Sequence, residues 1–215
     1  MPKAIIFDMD GVIFDSEVIA RDCWRKVFSD YGYEFTDAIY KKLIGRSMPA
    51  AYQILTELYG SDLPINEMSV KQGALWQDAT HDTVRQKAGV AEILDYLKSI
   101  NIPCAVGSST SHVEVEERLQ NCGLRDYFQV VVGGDYVEHA KPAPDIFLKC
   151  AEYLKVAPKD CLVIEDSNNG LRAAKTAGIP AVMIPDLLPA DEIDDDIHFV
   201  EFSSLLDLLA HIKTL

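Results

Sequence analysis

Five short apolar runs, each ending in polar or turn-forming residues, set the strongest limit on what this chain can fold into. They cover residues 4–7, 102–106, 129–132, 161–164 and 181–184. Runs this short and this uniformly apolar read as strands buried on both faces. Stretches of helical period separate the later ones: 90–99 precedes the second run, 113–120 follows it, 146–154 follows the third and 170–177 follows the fourth. Strand and helix in alternation predict an α/β fold, a parallel sheet covered by helices on both faces with right-handed crossovers. Ser203 and Ser204 ahead of 205–211 predict a closing helix.

One interval breaks the alternation. Between the first and second runs, from about residue 16 to residue 84, only helical patterns occur. Ile19, Cys23 and Val27, with Trp24, Phe28 and Tyr31 offset by one, make one stripe. Ala38, Ile39, Lys42 and Leu43 make a second, 51–58 a third and 70–76 a fourth, punctuated by Gly45, Gly60 and Pro64. That is too much helix for one crossover. The expected organisation is a sheet domain from 1–15 and 85–215, with an all-helical domain at 16–84 inserted through linkers near 14–16 and 83–86.

Charge narrows the function. Lysine and arginine number 20 against 34 aspartates and glutamates, a net charge of −14. Such a surface repels a polyanion, so a nucleic-acid partner is not expected, while a small phosphorylated ligand needs only local positive groups. No apolar run reaches bilayer-spanning length, and the apolar stretch after Lys3 ends at Asp8 without a small-residue cleavage pattern. With five scattered cysteines lacking metal-site spacing, the expectation is a reduced, cytoplasmic compartment and no membrane. The acidic run 191–196 reads as a solvated loop.

In an open parallel sheet, ligands bind beyond the carboxyl ends of the strands. After the first run comes Asp8-Met9-Asp10-Gly11, and after the second Gly107-Ser108-Ser109-Thr110. Past the third lies Lys141-Pro142, and after the fourth Glu165-Asp166-Ser167 with Gly170 close behind. Any one of these segments is explained as a cap or turn. Together they bring Asp8, Asp10, Glu165 and Asp166 to one edge, at a cost of several kcal/mol if uncompensated. A hard divalent cation removes that cost, and oxygen ligands without histidine or cysteine favour magnesium. Beside it, hydroxyls, helix-start amides and a lysine suit a phosphate group, and phosphoryl transfer needs mainly positioning and charge neutralisation. One acid can attack phosphorus while a second protonates the leaving oxygen and then activates water.

The order Asp-x-Asp-Gly, Ser/Thr after a second strand, Lys-Pro, and an acidic pair before Ser-x-x-Gly resembles the haloacid-dehalogenase-like hydrolases over essentially the whole chain. More narrowly, "DMDGVIFDSE", "AKPAPDIF" and "VIEDSNNG" look like the sugar-phosphate phosphatases and beta-phosphoglucomutases of that superfamily. The resemblance implies a Rossmann-like catalytic core, a helical cap domain and a monomer. It implies Asp8 as nucleophile and metal ligand, and Asp10 as general acid/base that also lends its backbone carbonyl to Mg2+. Ser108 and the amide of Ser109 would hold the phosphoryl group and Lys141 would bridge it to Asp8. Asp166 would bind the metal directly and Glu165 through water.

Within that subgroup, the phosphatase reading leads. Beta-phosphoglucomutases carry a histidine where this sequence has Ala20, and the "DSE" start is more typical of the phosphatases. The expectation is hydrolysis of a small phosphorylated metabolite, a sugar or polyol phosphate. Mutase-type phosphoryl transfer is the alternative, and a non-catalytic phosphate-binding module the third reading. Cap residues Glu17 and Arg46 are candidates for substrate contact. Trp76 is a weaker candidate, since an aromatic on an apolar helix face is more often core.

Overall fold

The structure, a computed structural model, describes residues 1–44, 48–80, 84–187 and 196–215. Arg46, Thr83 and residues 191–195 of the acidic run lie outside the described residues. Strands β1 (Ala4–Phe7), β2 (Cys104–Gly107), β3 (Val130–Val132), β4 (Cys161–Glu165), β5 (Ala181–Met183) and β6 (Val200–Glu201) form one sheet in the order β3-β2-β1-β4-β5-β6. All its neighbours are parallel. The chain winds outward from β1 through β2 to β3, then returns to the other side of β1 with β4, so the strand order reverses at β1. β2 begins two residues later than its apolar run because Pro103 has no amide hydrogen to give the ladder. β6 was not expected: it is two exposed residues at the sheet edge, with no apolar run to mark it.

Side-chain alternation along the strands sorts the core into two layers. Ile5 and Phe7 of β1 join Val106, Val131 and Ile164 under helices α5 (Val90–Ser99), α6 (His112–Asn121) and α9 (Leu205–Ile212). Ala4 and Ile6 point the other way, with Ala105, Val130 and Val163, under α7 (Asp145–Leu154) and α8 (Asn168–Ala177). Both faces are therefore covered, which explains why the strands read as continuous apolar runs.

Between β1 and α5 lie α1 (Ser16–Asp30), α2 (Asp37–Lys41), α3 (Met48–Tyr59) and α4 (Ile65–Thr80). They bury a cluster of their own, including Trp24, Val27, Phe28, Tyr40, Leu55 and Met68, which shares no buried residue with the sheet layers. Phe28 is its centre, fully buried, with its ring centroid 4.6 Å from Phe35 and 5.0 Å from Tyr59. The two connections to the sheet run side by side. The Asp15 amide donates to the Arg85 carbonyl and the Lys87 amide to the Ile13 carbonyl, each at 2.9 Å, and Phe14 and Gln86 form an antiparallel bridge. Lys87 Nζ also pairs with Asp186, beyond β5, at 2.6 Å.

Truncating Phe28 to alanine removes the aromatic hub of the helical cluster. The expected cost is about 3–5 kcal/mol by chemical denaturation; a loss under about 1 kcal/mol would mean that these helices do not depend on that cluster.

Candidate active site

The reversal of strand order at β1 places the carboxyl ends of β1 and β4 side by side, and a cleft of about 560 Å³ opens above them. Asp8, Lys141, Glu165 and Asp166 line its sheet side, with Ser108 and Ser109 from the end of β2. Glu17, Ala20, Ile44 and Trp76 line it from the helical segment.

On the cleft floor, Lys141 Nζ donates to Asp8 Oδ1 at 2.5 Å and to Glu165 Oε1 at 2.7 Å. The second oxygen of Glu165 accepts from the amides of Asp166 and Ser167 and from the Ser167 hydroxyl, at 3.0–3.1 Å. Ser167 in turn caps α8, accepting from the Gly170 amide at 3.2 Å. Oxygens of Asp8, Glu165 and Asp166 lie within 4.8 Å of one another, all three residues buried. Such proximity needs backbone without side chains around it. Gly11, at φ +82°, lies so close that a Cβ there would be 2.1 Å from Asp166 Oδ2, and a Cβ at Gly170 would be 1.7 Å from Glu165 Oε1.

The electrostatics follow from three crowded carboxylates and one ammonium, which pairs with Asp8 and Glu165. Burial pushes the Asp8 carboxyl up to about 8, against the downward pull of Lys141, with Glu165 and Asp10 adding repulsion. Asp166 is raised well above the carboxylate range by burial first, then by Glu165 and Asp8. Burial alone would lower Lys141, yet Asp8 and Glu165 outweigh it and hold the ammonium above its ordinary value. The trio is therefore short of positive charge, and its donors are hard oxygens. That is the ligand chemistry of a magnesium-like cation. Glu17 is raised as well, chiefly by burial, and its carboxylate accepts from Tyr40 Oη at 2.6 Å.

Asp10 stands apart from this trio. The turn after β1 bends sharply, the Ile13 and Phe14 amides both bonding to the Met9 carbonyl, and it gives the Asp10 side chain different partners on the wall of the same cleft. Asp10 Oδ1 accepts from Ser16 Oγ at 2.7 Å and from Arg118 Nη1 at 3.2 Å, and Oδ2 accepts from Thr110 Oγ1 at 3.1 Å. The sequence reading brought four acids to one edge and kept one off the metal; the carboxylate cluster holds Asp8, Glu165 and Asp166, with Asp10 beside it. Ser108 is buried beside them, its hydroxyl accepting from the Thr110 amide at 3.1 Å, whereas Ser109 is exposed.

One sequence expectation changes. Trp76 is not core: it is half-buried, outside the helical cluster, and faces the cleft with Arg118 stacked 4.1 Å from its ring. The apolar stripe of α4 is filled by Ile65, Met68 and Leu75, which leaves Trp76 to the neighbouring face. Arg118 itself, with Ser16, was missed. Its signal is an arginine three residues after Val115 on the buried face of α6, where an apolar residue would be expected.

This arrangement defines a haloacid dehalogenase-like hydrolase: the profile of that family matches residues 5–184, and the chain belongs to it. A phosphorylated carbohydrates phosphatase of Thermotoga maritima is 34% identical over 180 residues, which cover 84% of this chain and 83% of that protein. The fructose-1-phosphate phosphatase YqaB of Escherichia coli is 36% identical over 180 residues, 83% of this chain and 94% of that one. A variant of CbbY from Rhodobacter sphaeroides, in complex with xylulose-(1,5)bisphosphate, superposes with a TM-score of 0.77 at 26% identity, over 97% of this chain and 96% of that one. The relatives named as phosphatases place the chain among phosphoric monoester hydrolases. Among the described residues, no helix is long and apolar enough to cross a membrane.

Replacing Gly170 with alanine forces the new methyl against the Glu165 carboxylate. The expected loss is about 1–3 kcal/mol of stability in a denaturation titration; an unchanged midpoint would show that Glu165 is free to move away.

Proposed function

We propose that the protein is a magnesium-dependent phosphatase that hydrolyses a small phosphorylated carbohydrate or polyol through an aspartyl-phosphate on Asp8. The observation that carries this reading is the division among the acids. Asp8 sits on the cleft floor with Glu165 and Asp166, while Asp10 lines the same cleft outside that trio and is held by Ser16, Thr110 and Arg118. A nucleophile and a proton-transfer group need such separate surroundings. Asp8, Glu165 and Asp166, with the Asp10 backbone carbonyl, are the proposed magnesium holders. Magnesium bound there supplies the positive charge that lets these acids and a phosphate dianion share one site.

In this mechanism Asp8 attacks phosphorus, forming the Asp8–phosphorus bond as the bond to the leaving oxygen breaks. Asp10 delivers a proton to that oxygen, then removes one from the water that splits the acyl phosphate. Ser108 and the Ser109 amide hold the phosphoryl oxygens, and Lys141 balances the charge between them and Asp8. Residues 16–84 act as a cap that closes over the substrate and excludes bulk water, with Glu17 facing its hydroxyls. Ala20 lines the cleft and offers no ionisable group, which weighs against the mutase alternative. The carbohydrate assignment draws on the names of the two phosphatase relatives.

Phosphate release from a panel of sugar and polyol phosphates tests this. Activity is expected with Mg2+ and not with excess chelator, and Asp8→Asn lowers kcat by about 10³-fold or more. An Asp8→Asn enzyme that keeps full turnover would sink the aspartyl-phosphate mechanism. A second expectation concerns stability. Because the Asp8 carboxyl is raised in the fold, its protonated form favours folding below about pH 4, and that contribution disappears as pH rises through about 8. Magnesium replaces the missing proton, so the rise in melting temperature on adding Mg2+ is larger at pH 8.5 than at pH 5.5. Equal shifts at both pH values would contradict the proposed ligand set.

A further inference from the structure

We infer that Arg118 is a positioning residue that ties the Asp10 carboxylate to the helical segment through Trp76. Its partners come from opposite sides of the cleft. Arg118 rises from α6 in the sheet domain, with its side chain 7% exposed. One guanidinium nitrogen bonds Asp10 Oδ1 at 3.2 Å, and the face of the same group stacks 4.1 Å from the ring of Trp76 on α4. A flat, permanently charged group suits both contacts at once, and lysine does not share that geometry. Arg118 lines a second hollow, of about 460 Å³, behind the substrate cleft, together with Thr80, Glu114 and Glu117; Trp76 lines both spaces. Among the described residues, Arg118 does not line the substrate cleft itself and meets it through Asp10 and Trp76.

Neutralising Asp10 does not by itself call for a buried arginine. The Asp10 side chain is 29% exposed and already accepts from Ser16 and Thr110. What Arg118 adds is a mechanical link. Displacing α4 from the sheet domain breaks the stack, and breaking the stack frees the guanidinium that holds Asp10. Cap position and acid orientation are thereby set by one side chain. The inference rests on the proposed role of Asp10 as the group that protonates the leaving oxygen.

Two aryl esters of nearly the same shape test it. Phenyl phosphate needs a proton on its leaving oxygen far more than p-nitrophenyl phosphate does, and kcat/KM for each reports the transfer to Asp8. Asp10→Asn serves as the reference and is expected to lower kcat/KM for phenyl phosphate at least about tenfold more than for p-nitrophenyl phosphate. Arg118→Met should give the same selective loss, and Arg118→Lys a partial one. Trp76→Leu should give a smaller loss in the same direction that adds nothing in the Arg118→Met background, and Trp76→Phe should recover kcat/KM for phenyl phosphate. If Asp10→Asn is selective while Arg118→Met and Arg118→Lys lower both esters equally, Arg118 is structural and the link is wrong. If Trp76→Leu and Arg118→Met are additive on the selectivity ratio, the cap is not part of it. If Asp10→Asn itself shows no selectivity, the acid role of Asp10 fails, and this inference falls with it. Should Arg118→Met not fold, Arg118→Lys and the Trp76 pair decide the question alone.

Discussion

Three buried carboxylates sharing one ammonium, which pairs with two of them, is the condition to which the rest of the site conforms. Two like charges 4 Å apart repel by about 4 kcal/mol at the effective dielectric of a protein near its surface, and oxygens of Asp8, Glu165 and Asp166 lie within 4.8 Å of one another. Adjacent β1 and β4 force the meeting, because Asp8 and Glu165 end neighbouring strands. Lys141 is aimed between them, the Ser167 cap and two amides hold the far oxygen of Glu165, and glycines at 11 and 170 clear the room. A fold that relaxed this crowding by moving any of these strands apart would lose its charge deficit.

The two-residue spacing of Asp8 and Asp10 does more than bring acids together. Along an extended strand, residues two apart share a face, and both carboxylates would have joined the same cluster. The turn from Met9 to Phe14 breaks that periodicity and sends Asp10 toward α1 and α6. Adjacent acids thus acquire different surroundings: a dry floor for one, hydroxyls and a guanidinium for the other.

Much of this was legible from residues alone, because each strand is buried on both sides and its apolar run has no competing period. The helices α5 to α9 were equally readable. Their amphipathic faces match the layer they cover, and Ser204 caps α9 as its side chain suggests. Legibility ended where the cause is tertiary. β6 exists only because β5 offers it an edge. Trp76 fits an apolar stripe as well as Leu75 does, and its place is decided by which face of α4 meets Arg118. The separation of Asp10 from the other acids depends on a turn whose geometry the Asp-x-Asp-Gly pattern does not specify.

The paired connections at residues 13–15 and 85–87 have a mechanical meaning. Two independent tethers would let the helical unit slide, tilt and swivel over the sheet. Stitched to each other by backbone hydrogen bonds, and anchored through Lys87 to Asp186, they behave as one short ribbon. A ribbon of this kind bends readily across its flat side and resists shear in its plane. If residues 16–84 act as the proposed cap, such a ribbon would favour one arc of motion, carrying Trp76 and Glu17 together over the strand ends.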